Sequence, residues 1–119
     1  MTGTCAAPLA VILPRHPPYS EKLRALLEPL LPGDVLWRET GMDELSLEDM
    51  SGRKLLFAVA LDESGCNPSC YRLLSFLRRG KESLSGCTAG LVVTGEGELY
   101  TKDTARDLTL AANLSGCAF

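Results

Sequence analysis

The sequence predicts a three-layer α/β domain built on a mainly parallel sheet. Two observations point there. Pro8 to Leu13 (PLAVIL), Lys54 to Leu61 (KLLFAVAL) and Thr88 to Thr94 (TAGLVVT) are apolar runs of strand length without clean alternation. Such runs fit strands buried on both faces, as in parallel sheets. Segments with helical periodicity lie between them, and that alternation implies right-handed crossovers between parallel neighbours.

The elements follow in order. Pro14 ends the first strand. Ser20 is predicted to cap a helix with Leu23, Leu26, Leu27, Leu30 and Leu31 on one side, the i, i+3, i+4, i+7 pattern of a buried face. Pro29 lacks an N–H, so the last turn is predicted to be distorted. Pro32-Gly33 stops it. Asp34 to Glu39 (DVLWRE) reads as a short second strand, and Ser46 to Met50 as a single helical turn. Asn67-Pro68 is a strong helix start, because asparagine caps and proline at the first position loses nothing. That helix runs to about Arg79 with Leu73, Leu74 and Leu77 as its core face, and Gly80 ends it. Thr94-Gly95-Glu96-Gly97 is a glycine-rich turn after the fourth strand. A last helix reaches Leu114, turning Ala105, Leu108, Ala111 and Ala112 toward the sheet, and Ser115-Gly116 closes it. The order is β-α-β-turn-β-α-β-α within a single domain spanning 1–119.

Composition narrows the function. The 119 residues are 45% hydrophobic and 23% charged, with a net charge of −3. An acidic chain without a basic stripe is not expected to bind nucleic acid, since phosphate contacts need clustered Lys and Arg. No apolar run approaches the roughly 20 residues that span a bilayer. The N-terminus does not read as a signal peptide. Cys5, Cys66, Cys70, Cys87 and Cys117 form an odd, scattered set, which predicts reduced thiols and a cytoplasmic location.

Four stretches, in this order and spacing, resemble the flavodoxin-like, NAD(P)H-dependent FMN reductase and quinone reductase family. They are Pro14-Arg15 with Ser20 and Leu23; Lys54 to Leu61 followed by Leu74-Ser75-Phe76-Leu77-Arg78-Arg79; Leu91 to Gly97 with Tyr100; and Leu108 to Phe119 with its Gly-Cys-x-Phe ending. The resemblance covers about the whole chain. It implies a doubly wound parallel sheet in the order 2-1-3-4, with a ligand at the carboxyl ends of the strands. It also implies FMN as cofactor, NAD(P)H as co-substrate and a small-molecule electron acceptor. The family's phosphate loop falls on Arg15, His16, Tyr19 and Ser20. Its ring-binding loops fall on Asp62, Glu63, Ser64 and Gly65, and on Thr94, Gly95, Glu96 and Gly97, where backbone N–H groups of 95–97 would meet the ring.

Three departures from the family stand out. Pro17 and Pro18 remove two N–H donors from the phosphate loop. Asp62 and Glu63 stand where the family offers proline and aromatics. The fifth strand and last helix are missing. The fourth strand is therefore expected to be an open edge, on an incomplete domain or one covered by a partner chain or a second copy. Two functions follow: an FMN-dependent NAD(P)H oxidoreductase, or a flavodoxin-like binding or assembly module that no longer binds FMN.

Other chemistry is less supported. A phosphoacceptor reading of Asp62 and Thr94 lacks an acidic pair after the first strand, where Pro14-Arg15 stand, so Asp62 reads first as a turn former. Cys66 and Cys70 are not spaced as CxxC and read as unreactive thiols. No zinc spacing is present. His16 reads as a solvated loop histidine, and Trp37 as packing on the second strand. No general acid, base or nucleophile stands out, as expected where a cofactor carries the chemistry.

Overall fold

The computed structural model describes residues 9–40, 50, 53–80, 84–95 and 98–119. The elements are β1 (Leu9–Pro14), α1 (Tyr19–Leu27) with a 3₁₀ turn (Glu28–Leu30), β2 (Leu36–Thr40), β3 (Lys54–Ala60), α2 (Pro68–Arg79), β4 (Ala89–Thr94) and α3 (Glu98–Leu114). The four strands form one sheet in the order β2-β1-β3-β4. Every pair is parallel, with Ala10 opposite Leu36 and Leu55, and Phe57 opposite Leu91.

Alternation along the central strands divides the core. Ile12, Leu55, Phe57 and Val59 face a layer built from α2 and α3, where Leu73, Leu77, Leu108 and Ala112 meet them. Val11, Leu13, Ala58 and Ala60 face the other way, against Leu23 and Leu27 of α1. Both faces of β1 and β3 are thus buried, which is why those strands are apolar almost throughout. Because the strands are all parallel, the loops after β1, β3 and β4 gather at one end. That end holds the candidate site.

Several expectations change on contact with the structure. Ser20 does not cap α1: Pro18 stands at that position without a side-chain cap bond, and the helix starts at Tyr19. Leu26 and Leu30 are 66% and 77% exposed, so they are not core. Only Leu23 and Leu27 of the leucine series are buried; Leu26 lies within α1 on its exposed side, and the helical period is lost beyond Leu27, where the 3₁₀ turn Glu28–Leu30 begins. The second strand lies slightly later than expected, at Leu36–Thr40. The turn expected at Ser46 to Met50 lies outside the described residues except for buried Met50.

The outer edge of β4 is met by the chain's own tail, and only at its start. Thr88 and Ala118 form an isolated parallel bridge. The Ala118 N–H donates to Cys87 O at 2.9 Å, and the Ala89 N–H donates to Ala118 O at 2.8 Å. From Gly90 to Thr94 no further strand lies on that edge among the described residues. Gly116 makes the return from α3 possible. Its φ is +106°, and a Cβ there would sit 2.8 Å from the Ser85 backbone, so a side chain would meet both strain and a clash. No helix among the described residues is long and apolar enough to cross a membrane.

Candidate functional site

The loop after β3 is organised by one carboxylate. Asp62 Oδ1 accepts the Ser64 N–H at 2.9 Å, the Ser64 hydroxyl at 2.6 Å and the Cys66 N–H at 3.1 Å. This is the local turn chemistry that aspartate favours. Its other oxygen, Oδ2, lies 3.0 Å from His16 Nε2 on the loop after β1. These donors, Ser64 first, then His16 and Cys66, hold the Asp62 carboxyl well below the usual carboxylate range;. His16 is therefore not a solvated loop histidine. It is half-buried, bridged to Asp62 and stacked on Tyr19 with ring centroids 5.5 Å apart.

The loop after β1 is engaged with its own surroundings. The Arg15 N–H donates to Thr40 O at 2.7 Å. The His16 N–H donates to Ser20 Oγ at 2.8 Å, while the Ser20 N–H returns to His16 O at 3.0 Å. The Arg15 guanidinium turns toward β2, with Nε 3.7 Å from Glu39 Oε1. Arg24 reaches the same Glu39 at 2.7 Å and lies 4.6 Å over the Trp37 ring. Trp37 thus packs under a cation on β2, as the sequence reading held.

Asn67 joins these loops from below. Its side chain caps α2 by accepting from the Cys70 N–H at 3.1 Å. Its amide nitrogen donates to Ala60 O at 2.9 Å and reaches Pro14 O at 3.4 Å, the last residues of β3 and β1. Ser69 donates to Arg15 O at 2.7 Å. The carboxyl ends of two neighbouring strands are thereby pinned to one helix N-terminus.

Above them opens a crevice of about 360 Å³. Pro18, Tyr19, Lys22, Leu23 and Leu26 of the α1 segment form one wall. Ala60, Leu61, Asp62 and Glu63 at the end of β3, with Thr94 and Gly95 at the end of β4, form the rest. Gly95 approaches closely: a Cβ there would lie 3.0 Å from Leu61 Cβ. Of the sequence-predicted site residues, the crevice gathers Tyr19, Asp62, Glu63, Thr94 and Gly95, with His16 bonded to its rim. Arg15 and Ser20 do not line it, and Ser64 lies behind Asp62. Gly65 faces a smaller hollow of about 180 Å³ beside Cys70, Tyr71, Asp103 and Asp107. Glu96 and Gly97 lie outside the described residues.

Lys22, Leu23 and Leu26 were not read as site residues. The signal was present in their spacing: once the helix starts at Tyr19, positions 19, 22, 23 and 26 share one face. Lys22 makes no ion pair among the described residues, so its charge stands over the crevice. Cys70 and Cys117 add no reactive thiol. Burial pushes the Cys70 thiol up to about 12 and the Cys117 thiol up to about 11;. Among the described residues no group of three or more His, Cys, Asp or Glu is placed to hold a metal ion.

A solved structure shares this architecture. It is that of a short-chain flavodoxin associated with a non-canonical PDU bacterial microcompartment, matched with a TM-score of 0.62 at 16% sequence identity. The match covers 96% of this chain and 78% of that one. The fold is flavodoxin-like. No family model and no curated protein matches the sequence.

The phosphate loop expected from the family resemblance has lost several of its donors. Such a loop presents free backbone N–H groups at a helix N-terminus. Here the Arg15 and His16 amides are engaged, Pro17 and Pro18 have none, and the Ser20 hydroxyl accepts a bond from within the loop. The Asp62 carboxylate holds the His16 ring. The crevice itself, with its leucines and Tyr19, keeps the dimensions and apolar lining of a small-molecule site.

Proposed function

We propose that this chain is a flavodoxin-like module whose crevice takes a flat redox ring, a flavin or a quinone, as an exchangeable ligand. The activity is that of a reductase supplied with electrons by NAD(P)H, as the family resemblance implies. The observation that carries the reading is the convergence of the β1, β3 and β4 loops on one partly apolar crevice at the carboxyl ends of the strands. In open α/β sheets that is where ligands bind. Tyr19, Leu23, Leu26 and Leu61 supply the apolar surface against which a ring would pack, and Lys22 and Glu63 stand at its margin.

The test is a fluorescence titration of the purified chain with riboflavin and FMN, followed by NAD(P)H oxidation in the presence of each. Quenching at micromolar flavin, with NAD(P)H loss that depends on the chain, is the expected result. Absence of both quenching and NAD(P)H loss would overturn the reading.

A second reading, a binding or assembly module without flavin, is favoured by one observation. Gly90 to Thr94 of β4 carries neither lysine nor proline on its outer edge, and such residues are the usual protection of an edge strand. A chain that ignores flavin and yet forms a stable complex through β4 would favour this reading.

A further inference from the structure

We infer that Asp62 acts as the chain's own anion within the crevice, and that it sets the site to take rings without a phosphate over phosphorylated ones. The inference deepens the function proposed above and rests on it for the identity of the ring.

An anionic ligand arriving at the ends of β1 and β3 needs N–H or O–H groups that are free to turn toward it. The loop after β1 offers the His16 ring. The loop after β3 offers the Ser64 N–H and hydroxyl and the Cys66 N–H. All four are directed at Asp62, three at Oδ1 and one at Oδ2. The two loops have thus built an anion site, and a side chain of the same chain fills it. Glu63 adds a second negative charge on the crevice wall and makes no ion pair among the described residues. Lys22 is the one cation among the described residues that line the crevice. A phosphate brought to this rim would meet two carboxylates and four engaged donors. A neutral ring needs none of these donors and can pack on the apolar part of the wall.

The rival explanation is that Asp62 merely shapes its turn. The conservative variant separates the two. Asp62→Asn keeps an oxygen that can accept from the Ser64 and Cys66 N–H groups, so the turn survives, but it removes the charge and the acceptor that holds the His16 Nε2–H;. Should that variant not fold, Asp62→Ser, which also closes such a turn, carries the same test.

Riboflavin and FMN share the ring and differ by the phosphate, so the ratio of their dissociation constants isolates the phosphate's contribution. The wild-type chain is expected to bind riboflavin at least as tightly as FMN. In Asp62→Asn the ratio should move about tenfold toward FMN, whatever the change in riboflavin affinity itself. Inorganic phosphate, followed by the amide resonances of His16, Ser64 and Cys66, should shift them in the variant and leave the wild type unmoved. A ratio that stays within about twofold while riboflavin still binds would overturn the inference. If neither chain binds either flavin, the proposed function fails. The phosphate titration then decides the inference alone: a response confined to the variant supports an internally filled anion site, and no response in the variant overturns it.

Discussion

Phe57→Ala is expected to destabilise the fold by about 3–5 kcal/mol, the range for emptying a fully buried phenylalanine site. Phe57 is 0% exposed in the middle of β3, a strand with a partner on each side. Its register neighbours are Ile12 on β1 and Leu91 on β4. Its ring lies on the α2–α3 face of the sheet, within the cluster that contains Leu73, Leu77 and Leu108. It also lies 6.5 Å from the ring of Phe119, which follows the bridge between the tail and Thr88. Alanine would therefore leave a cavity and release the tail's aromatic anchor together. Urea denaturation at neutral pH checks the figure. A loss below about 1 kcal/mol would mean that α2 and α3 do not close over β3 as described.

Asn67→Ala is expected to cost about 2–4 kcal/mol. Loss of the α2 cap accounts for about 1 kcal/mol. The remainder comes from the carbonyls of Ala60 and Pro14, which lose a buried donor; an unsatisfied buried acceptor costs about 1–3 kcal/mol. Asn67 is 2% exposed, so water cannot readily replace its amide. Asn67→Asp keeps the capping oxygen but sets its second oxygen, an acceptor only, against the carbonyls of Ala60 and Pro14, and it should be no more stable at neutral pH than the alanine variant. The same denaturation series measures both. If the aspartate variant matched wild type, the amide would not be bonded to the strand ends.

Asn67 also shows where sequence reasoning stops. Asn67-Pro68 announces a helix start because capping is local: the acceptor and the donor lie three residues apart. The other half of the same amide bonds Ala60 and Pro14, seven and 53 residues away, and no local pattern encodes that. The strands were legible for a similar reason. Double-sided burial demands apolar residues at every position, and the sequences of β1, β3 and β4 display them. The leucine series misled because its five members share a helical period up to Leu31, whereas α1 ends at Leu27. Leu26 and Leu30 face outward, and Leu26 becomes a wall of the crevice instead of core.

The site followed the same division. The ends of strands are visible in a sequence, so Asp62, Thr94 and Gly95 were placed correctly at the carboxyl end of the sheet. The prolines at 17 and 18 announced the loss of two amide donors. The bridge between His16 and Asp62 joins loops 46 residues apart, and neither residue alone signals it. Arg15 was read toward a phosphate because the phosphate loop of the resembled family falls on it; its Nε lies 3.7 Å from Glu39 Oε1 on β2, and it does not line the crevice.

The most direct test of the central claim, that ligands enter between α1 and the ends of β3 and β4, is a map of amide resonances on addition of riboflavin. Shifts concentrated on Tyr19, Lys22, Leu26, Leu61, Glu63 and Gly95 are the predicted result. Shifts centred on Cys70, Tyr71, Asp103 and Asp107, in the hollow between α2 and α3, would contradict it.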